Sequence, residues 1–92
     1  MIRVMIVEDE PPIMRSIKSA IEYENGEFEV VACAGDGDEA LQLIDIAKPD
    51  VVFTDIRMPV MSGIDLLAKI KNKYPEIITI IIRGYQDFEY SP

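Results

Sequence analysis

Four short apolar runs rich in β-branched residues recur along this chain, and segments with helical spacing separate them. Arg3–Val7 is nearly all apolar, as expected of a strand buried on both faces. Pro11-Pro12 then opens a segment with Ile13, Ile17, Ala20 and Ile21 on one helical face, and Asn25-Gly26 supplies its stop. Phe28–Ala34 reads as a second strand, less apolar at its start and so suited to an edge. Gly35-Asp36-Gly37 turns the chain, with Asp36 or Asp38 as N-cap, and Ala40, Leu41, Ile44 and Ala47 form the next helical stripe. Lys48-Pro49-Asp50 ends that helix, and Val51–Thr54 is the third strand. Pro59, Ser62 and Gly63 mark a loop, and Ser62 is placed to cap a helix whose apolar face is Ile64, Leu67, Ile70 and Tyr74. Pro75 stops it, the fourth strand runs from Ile77 to Ile82, and Gln86–Tyr90 suits the start of a further helix. This alternation predicts one α/β domain over residues 1–92: a doubly wound parallel sheet with right-handed crossovers and helices on both faces.

Two of the apolar runs end in carboxylates. Val4–Val7 leads into Glu8-Asp9-Glu10, and Val51–Thr54 leads into Asp55. If those runs are neighbouring parallel strands, Glu8, Asp9 and Asp55 meet at the C-terminal edge of the sheet, where open α/β sheets bind ligands. Anions so crowded repel one another, and the relief is a bound cation or a raised pKa. Magnesium suits an all-oxygen site better than softer metals. Asp9 and Asp55 are the expected direct ligands, and the longer Glu8 reaches the ion through a water. A carboxylate held there also suits nucleophilic attack on phosphorus. Glu10, Asp36 and Asp38 are assigned to helix caps or solvated surface.

Composition narrows the function classes. The formal net charge of −8 argues against direct binding to nucleic acid or to an anionic membrane. With no histidine, imidazole metal sites and Ser–His or Cys–His catalysis are excluded. The single cysteine, Cys33, cannot form an intramolecular disulfide, and its apolar run predicts a buried, inert thiol. No segment resembles a signal peptide or a membrane span, which gives a cytoplasmic protein as the expectation.

The residues match a known pattern. Ile6-Val7-Glu8-Asp9-Glu10-Pro11, Gly35–Leu41, Pro49–Pro59 and Met61–Leu67 together resemble the receiver domain of two-component response regulators, in order and spacing and over essentially the whole chain. The segment Gly84–Tyr90 is similar to regulators whose effector is an AraC-type helix-turn-helix domain. The resemblance implies a flavodoxin-like sheet and a signalling switch rather than a turnover enzyme. It makes Asp55 the phosphoacceptor, served by a sensor histidine kinase, with an effector domain as the output. It also implies Mg2+ held by Asp9, Asp55 and the backbone carbonyl of Arg57, with Glu8 as acidic neighbour. Met58-Pro59 and Gly63 resemble the family's loop elements, and Met61 is assigned to packing.

Two departures stand beside the likeness. After the fourth strand the family has Ser or Thr, and this chain has Arg83. An arginine there pairs with a phosphate, pairs with Asp55 or swings to solvent, and a weakened or absent switch is the expectation. Four strands are expected. The family's fifth strand, its phosphate-contacting lysine and its last helix have no counterpart, which predicts an open fourth-strand edge and self-association. Two other readings remain: a degenerate receiver working only as an interaction module, and an aspartate-nucleophile phosphatase. The latter wants an early-strand nucleophile and a second Asp where Arg57 stands. A flavodoxin proper is disfavoured by the acidic loop, which repels a cofactor phosphate.

Overall fold

The computed structural model describes residues 1–23 and 26–82. Its elements alternate as β1 (Ile2–Val7), α1 (Pro11–Glu22), β2 (Phe28–Ala34), α2 (Gly37–Ala47), β3 (Val51–Asp55), α3 (Gly63–Lys73) and β4 (Ile78–Ile82). All strand pairs are parallel, in the order β2-β1-β3-β4. The chain steps outward from β1 to β2, then crosses back to place β3 on the other side of β1. The switch point therefore lies between β1 and β3, the position at which open sheets of this type form crevices.

One face of the sheet carries Val4, Ile6 and Val51 beneath α1, whose Met14, Ile17 and Ile21 pack on them together with Phe28, Val30 and Phe53. The other carries Met5, Val7 and Val52 against Ala40 and Ile44 of α2 and Leu66 and Ile70 of α3. Val4–Val7 of β1 and Val51–Phe53 of β3 are covered from both sides, which is why those stretches are continuously apolar. Strand β2 holds its register with one extra residue: Val4 pairs with Val30 and Met5 with Ala32. This bulge at Val31 lets Val30 face α1 and Ala32 face α2, although the two are only two positions apart.

Three expectations are corrected. The buried stripe of α3 is Gly63, Leu66 and Ile70, while Ile64 is exposed and Leu67 only half-buried. The helix is rotated because Gly63 is pressed against β3, and that close approach decides which residues face the core. Ala20 of α1 is exposed, since no residue of that helix is fully buried and only its Met14–Ile17–Ile21 stripe reaches the sheet. Cys33 is exposed rather than buried, because β2 is an edge strand and α1 covers only its Phe28 and Val30. The further helix expected at Gln86–Tyr90 lies outside the described residues, as does Arg83.

The N-terminal end of the sheet is pinned by polar contacts. The Arg3 guanidinium donates to the carbonyls of Ala47 at 2.5 Å and Lys48 at 3.2 Å, capping the C-terminus of α2. The Asp50 carboxylate accepts from the Arg3 N–H at 2.9 Å, and the Asp50 N–H donates to the Arg3 carbonyl at 2.8 Å. At the far ends of the helices, Tyr74 donates its hydroxyl to Asp45, tying α3 to α2. No described helix is long and apolar enough to cross a membrane.

Candidate functional site

Adjacent registered strands bring the acids together. The last β1–β3 pair is Val7 with Thr54, and the next residues along the two strands are Glu8 and Asp55. Both are buried, at 3% and 6% exposure, and no other carboxylate among the described residues is. Strand β1 ends at Val7 and the chain bends through Glu8-Asp9-Glu10 into α1, where Pro11 occupies the first turn and needs no hydrogen-bond partner for a missing N–H. Glu10 holds the N-cap position, but its side chain makes no capping bond. Its backbone N–H donates instead to Glu8 Oε2 at 3.1 Å.

The carboxylate oxygens of Glu8, Asp9 and Glu10 lie within 4.8 Å of one another, a spacing that one cation could bridge. Asp55 is not one of that trio, but it stands beside Glu8 closely enough to perturb it. Burial pushes the Glu8 carboxyl up from 4.5 to about 7, the backbone N–H of Glu10 opposes the rise, and the charge of Asp55 and contacts with Asp55 and Asp9 add to it. A raised carboxyl pKa is one relief open to crowded acids, and a bound cation is the other.

Asp55 Oδ1 is buried and has no hydrogen-bond partner among the described residues. Buried acceptors are normally satisfied, so an orphaned carboxylate oxygen calls for an occupant. The backbone around it is held from two sides. The Thr54 hydroxyl donates to the Asp55 carbonyl at 3.1 Å and lies 3.9 Å from Met58 Sδ. Gly63 donates its N–H to the Ile56 carbonyl at 2.8 Å. Between them the loop carries Arg57, Met58 and Pro59, and makes a γ-turn in which the Met61 N–H donates to the Pro59 carbonyl at 2.7 Å. The central residue of that turn, Val60, has φ of 72°, a strained conformation for a β-branched side chain.

The structure thus brings Glu8, Asp9 and Asp55 to one edge of the sheet and places Arg57 in the loop that follows Asp55. Glu10 was assigned to a cap or to surface, yet its carboxylate groups with Glu8 and Asp9; three consecutive acids were the available signal. Thr54 was read only as strand, although a hydroxyl inside a buried apolar run asks for a nearby acceptor. The donor set of oxygens and the orphaned Asp55 Oδ1 fit a hard divalent cation such as Mg2+.

The response regulator receiver domain profile matches residues 4–91. An uncharacterized response regulatory protein of Staphylococcus epidermidis is 44% identical over 90 residues, covering 98% of this chain and 35% of its own length. The transcriptional regulatory protein HptR of Staphylococcus aureus is 41% identical over 90 residues, again with 98% and 35% covered. Among solved structures, a two-component transcriptional regulator AraC from Clostridium phytofermentans superposes with a TM-score of 0.81 at 35% identity, covering 99% of this chain and 73% of that one. A parallel α/β sheet in the order β2-β1-β3-β4, with acids clustered at its switch point, has the flavodoxin-like architecture. The chain belongs to the response regulator receiver domain family. It spans about a third of the length of the curated relatives it matches.

Proposed function

We propose that Asp55 accepts a phosphoryl group from a sensor histidine kinase, and that this chain relays the change to an effector domain elsewhere in its protein. The buried, unpartnered Oδ1 of Asp55 carries this reading. A carboxylate oxygen with no donor among the described residues keeps its lone pairs for a bond to phosphorus, and it stands at the strand end where open sheets of this type bind ligands. In the transfer, the Asp55 oxygen forms the new bond to phosphorus while the bond to the kinase imidazole nitrogen breaks, and the imidazole leaves as a neutral group after taking a proton. Asp9, Asp55 and the backbone carbonyl of Arg57 would hold Mg2+, with the carboxylates of Glu8 and Glu10 grouped beside Asp9. Bound there, the ion screens the phosphoryl oxygens from the surrounding carboxylates. Thr54 and Gly63 hold the backbone at Asp55 and Ile56 still.

Labelling with acetyl phosphate and Mg2+ tests this, read as a mass gain of one phosphoryl group. Asp55→Asn should abolish the gain, and chelation of Mg2+ should prevent it. Unchanged labelling of Asp55→Asn would remove Asp55 from the role.

A second reading is favoured by one observation. Ile78 and Ile80 are 60% and 39% exposed. They share the sheet face of Val51 and Phe53 and lie near an apolar groove of about 270 Å3 between Ala20, Ile21, Phe28 and Phe53. On this reading the 92-residue chain covers that face with a second copy and serves as an association module. Light scattering across a concentration series decides it: a monomer at every concentration, with folded spectra, ends this reading.

A further inference from the structure

We propose that Gly37, on a helix remote in sequence from the acids, is a positioning residue for Asp55 and acts through Met61. The inference rests on the reading of Asp55 as phosphoacceptor. Gly37 is the buried first residue of α2, just after the N-cap Asp36, whose carboxylate accepts from the Glu39 N–H at 2.8 Å. Glu39 returns the bond by accepting from the Gly35 N–H at 2.6 Å, so the start of α2 is held from both directions. A methyl group on Gly37 would lie 2.7 Å from Met61 Sδ, 3.0 Å from its Cβ and 3.1 Å from its Cγ. Rotation of the side chain moves the sulfur away but not Cβ, which is bonded to the backbone. The Met61 backbone or the start of α2 must therefore give by a few tenths of an ångström.

That backbone has little freedom. On one side it closes the γ-turn onto Pro59 through the strained Val60. On the other it runs through Ser62, which caps α3 by accepting from the Asp65 N–H at 3.1 Å. It then reaches Gly63, whose N–H holds the Ile56 carbonyl. A methyl on Gly63 would fall 2.0 Å from the Asp55 carbonyl oxygen, so no slack exists where the loop rejoins the strand. Met58 and Met61 both pack on the core beneath. Displacement of Met61 is thus passed to Arg57–Pro59 or to Gly63, and both lead directly to the Asp55 backbone. The absence of a side chain at Gly37 sets the seat for Met61, and Met61 sets the loop.

A double-mutant cycle tests this on the 92-residue chain, with acetyl phosphate and saturating Mg2+, rates being referred to the folded fraction by circular dichroism. Gly37→Ala should slow labelling of Asp55 on the order of tenfold, since sub-ångström misplacement of a reacting group has effects of that size. Met61→Gly removes all three contacts, and in that background Gly37→Ala should change the rate less than about twofold. A role for Gly37 confined to helix stability would leave the rate per folded molecule unchanged, and equal losses in both backgrounds would mean that Gly37 does not act through Met61; either result overturns the proposal. Backbone amide shifts of Asp55, Ile56 and Arg57 provide a second readout: they should move in Gly37→Ala and return in the double variant, and unmoved shifts also overturn it. Met61→Ala keeps the Cβ contact that forces the displacement, so if Met61→Gly fails to fold the amide shifts of Gly37→Ala alone decide the proposal. An unlabelled wild-type chain would end the phosphoacceptor reading, and the amide shifts would then decide the positioning claim alone.

Discussion

Gly63 stands against the main-chain carbonyl of Asp55 so closely that an added methyl would sit 2.0 Å from its oxygen. The contact couples the first turn of α3 to the residue that ends β3. Gly63→Ala must push helix and strand apart, at a cost of about 1–3 kcal/mol typical of overpacking. Thermal or urea unfolding should show that loss, and Mg2+ titration by amide shifts should show weakened binding. A variant of wild-type stability with wild-type affinity would mean that the contact relaxes without consequence.

Protonation of Glu8 gives the metal-free chain a definite pH dependence. Its carboxyl is raised from 4.5 to about 7, chiefly by burial. The folded state therefore holds this proton more tightly than the unfolded chain does. The stabilisation is complete below about 4.5 and is lost as pH climbs toward about 7. Urea midpoints measured in chelator should fall across that window, and Glu8→Gln should flatten the trend. Because a cation competes with the same proton, Mg2+ affinity should rise over the same interval. A midpoint that rises with pH there would contradict the assignment.

Val60 combines a φ of 72° with 86% exposure. Its side chain contributes little packing, while its backbone conformation is costly for a β-branched residue. Val60→Gly should stabilise the chain by about 1 kcal/mol, the strain relief being partly offset by the added chain entropy of glycine. Denaturant unfolding checks this. A destabilised variant would show that the turn is not strained in solution.

Arg3 satisfies two carbonyls at the end of α2 and favours the negative end of that helix. Arg3→Met keeps much of the side chain's bulk but removes the donors and the charge, and should cost about 1–2 kcal/mol. The loss should appear in unfolding experiments and leave Asp55 labelling of the folded fraction unchanged, since Arg3 lies at the opposite end of the sheet.

The alternation of strand and helix was legible because each element repeats a pattern its environment demands. Val4–Val7 of β1 and Val51–Phe53 of β3 are covered on both faces and are therefore continuously apolar, while the Ala40–Ile44–Ala47 stripe shows helical spacing against one face. Ser62 and Asp36 were readable as caps because a short acceptor before an apolar helix has one common use, and each accepts the expected N–H. Burial of Cys33 was misjudged because an apolar run looks alike on a central strand and on an edge. The α3 stripe was misplaced for a related reason: periodicity fixes the spacing of a face but not its rotation, which a contact made by Gly63 decides.

The local order of residues alone determined that this chain is an alternating α/β domain and that acids terminate its first and third strands. Those properties depend on near neighbours and on the solvent preference of each side chain. The tertiary structure decided how far the acids interact, which of them is buried without a partner, and how two glycines at helix starts bracket the loop between Asp55 and α3. Such relations join residues that are distant in sequence, and they are set by strand register and steric contact, which no local pattern encodes.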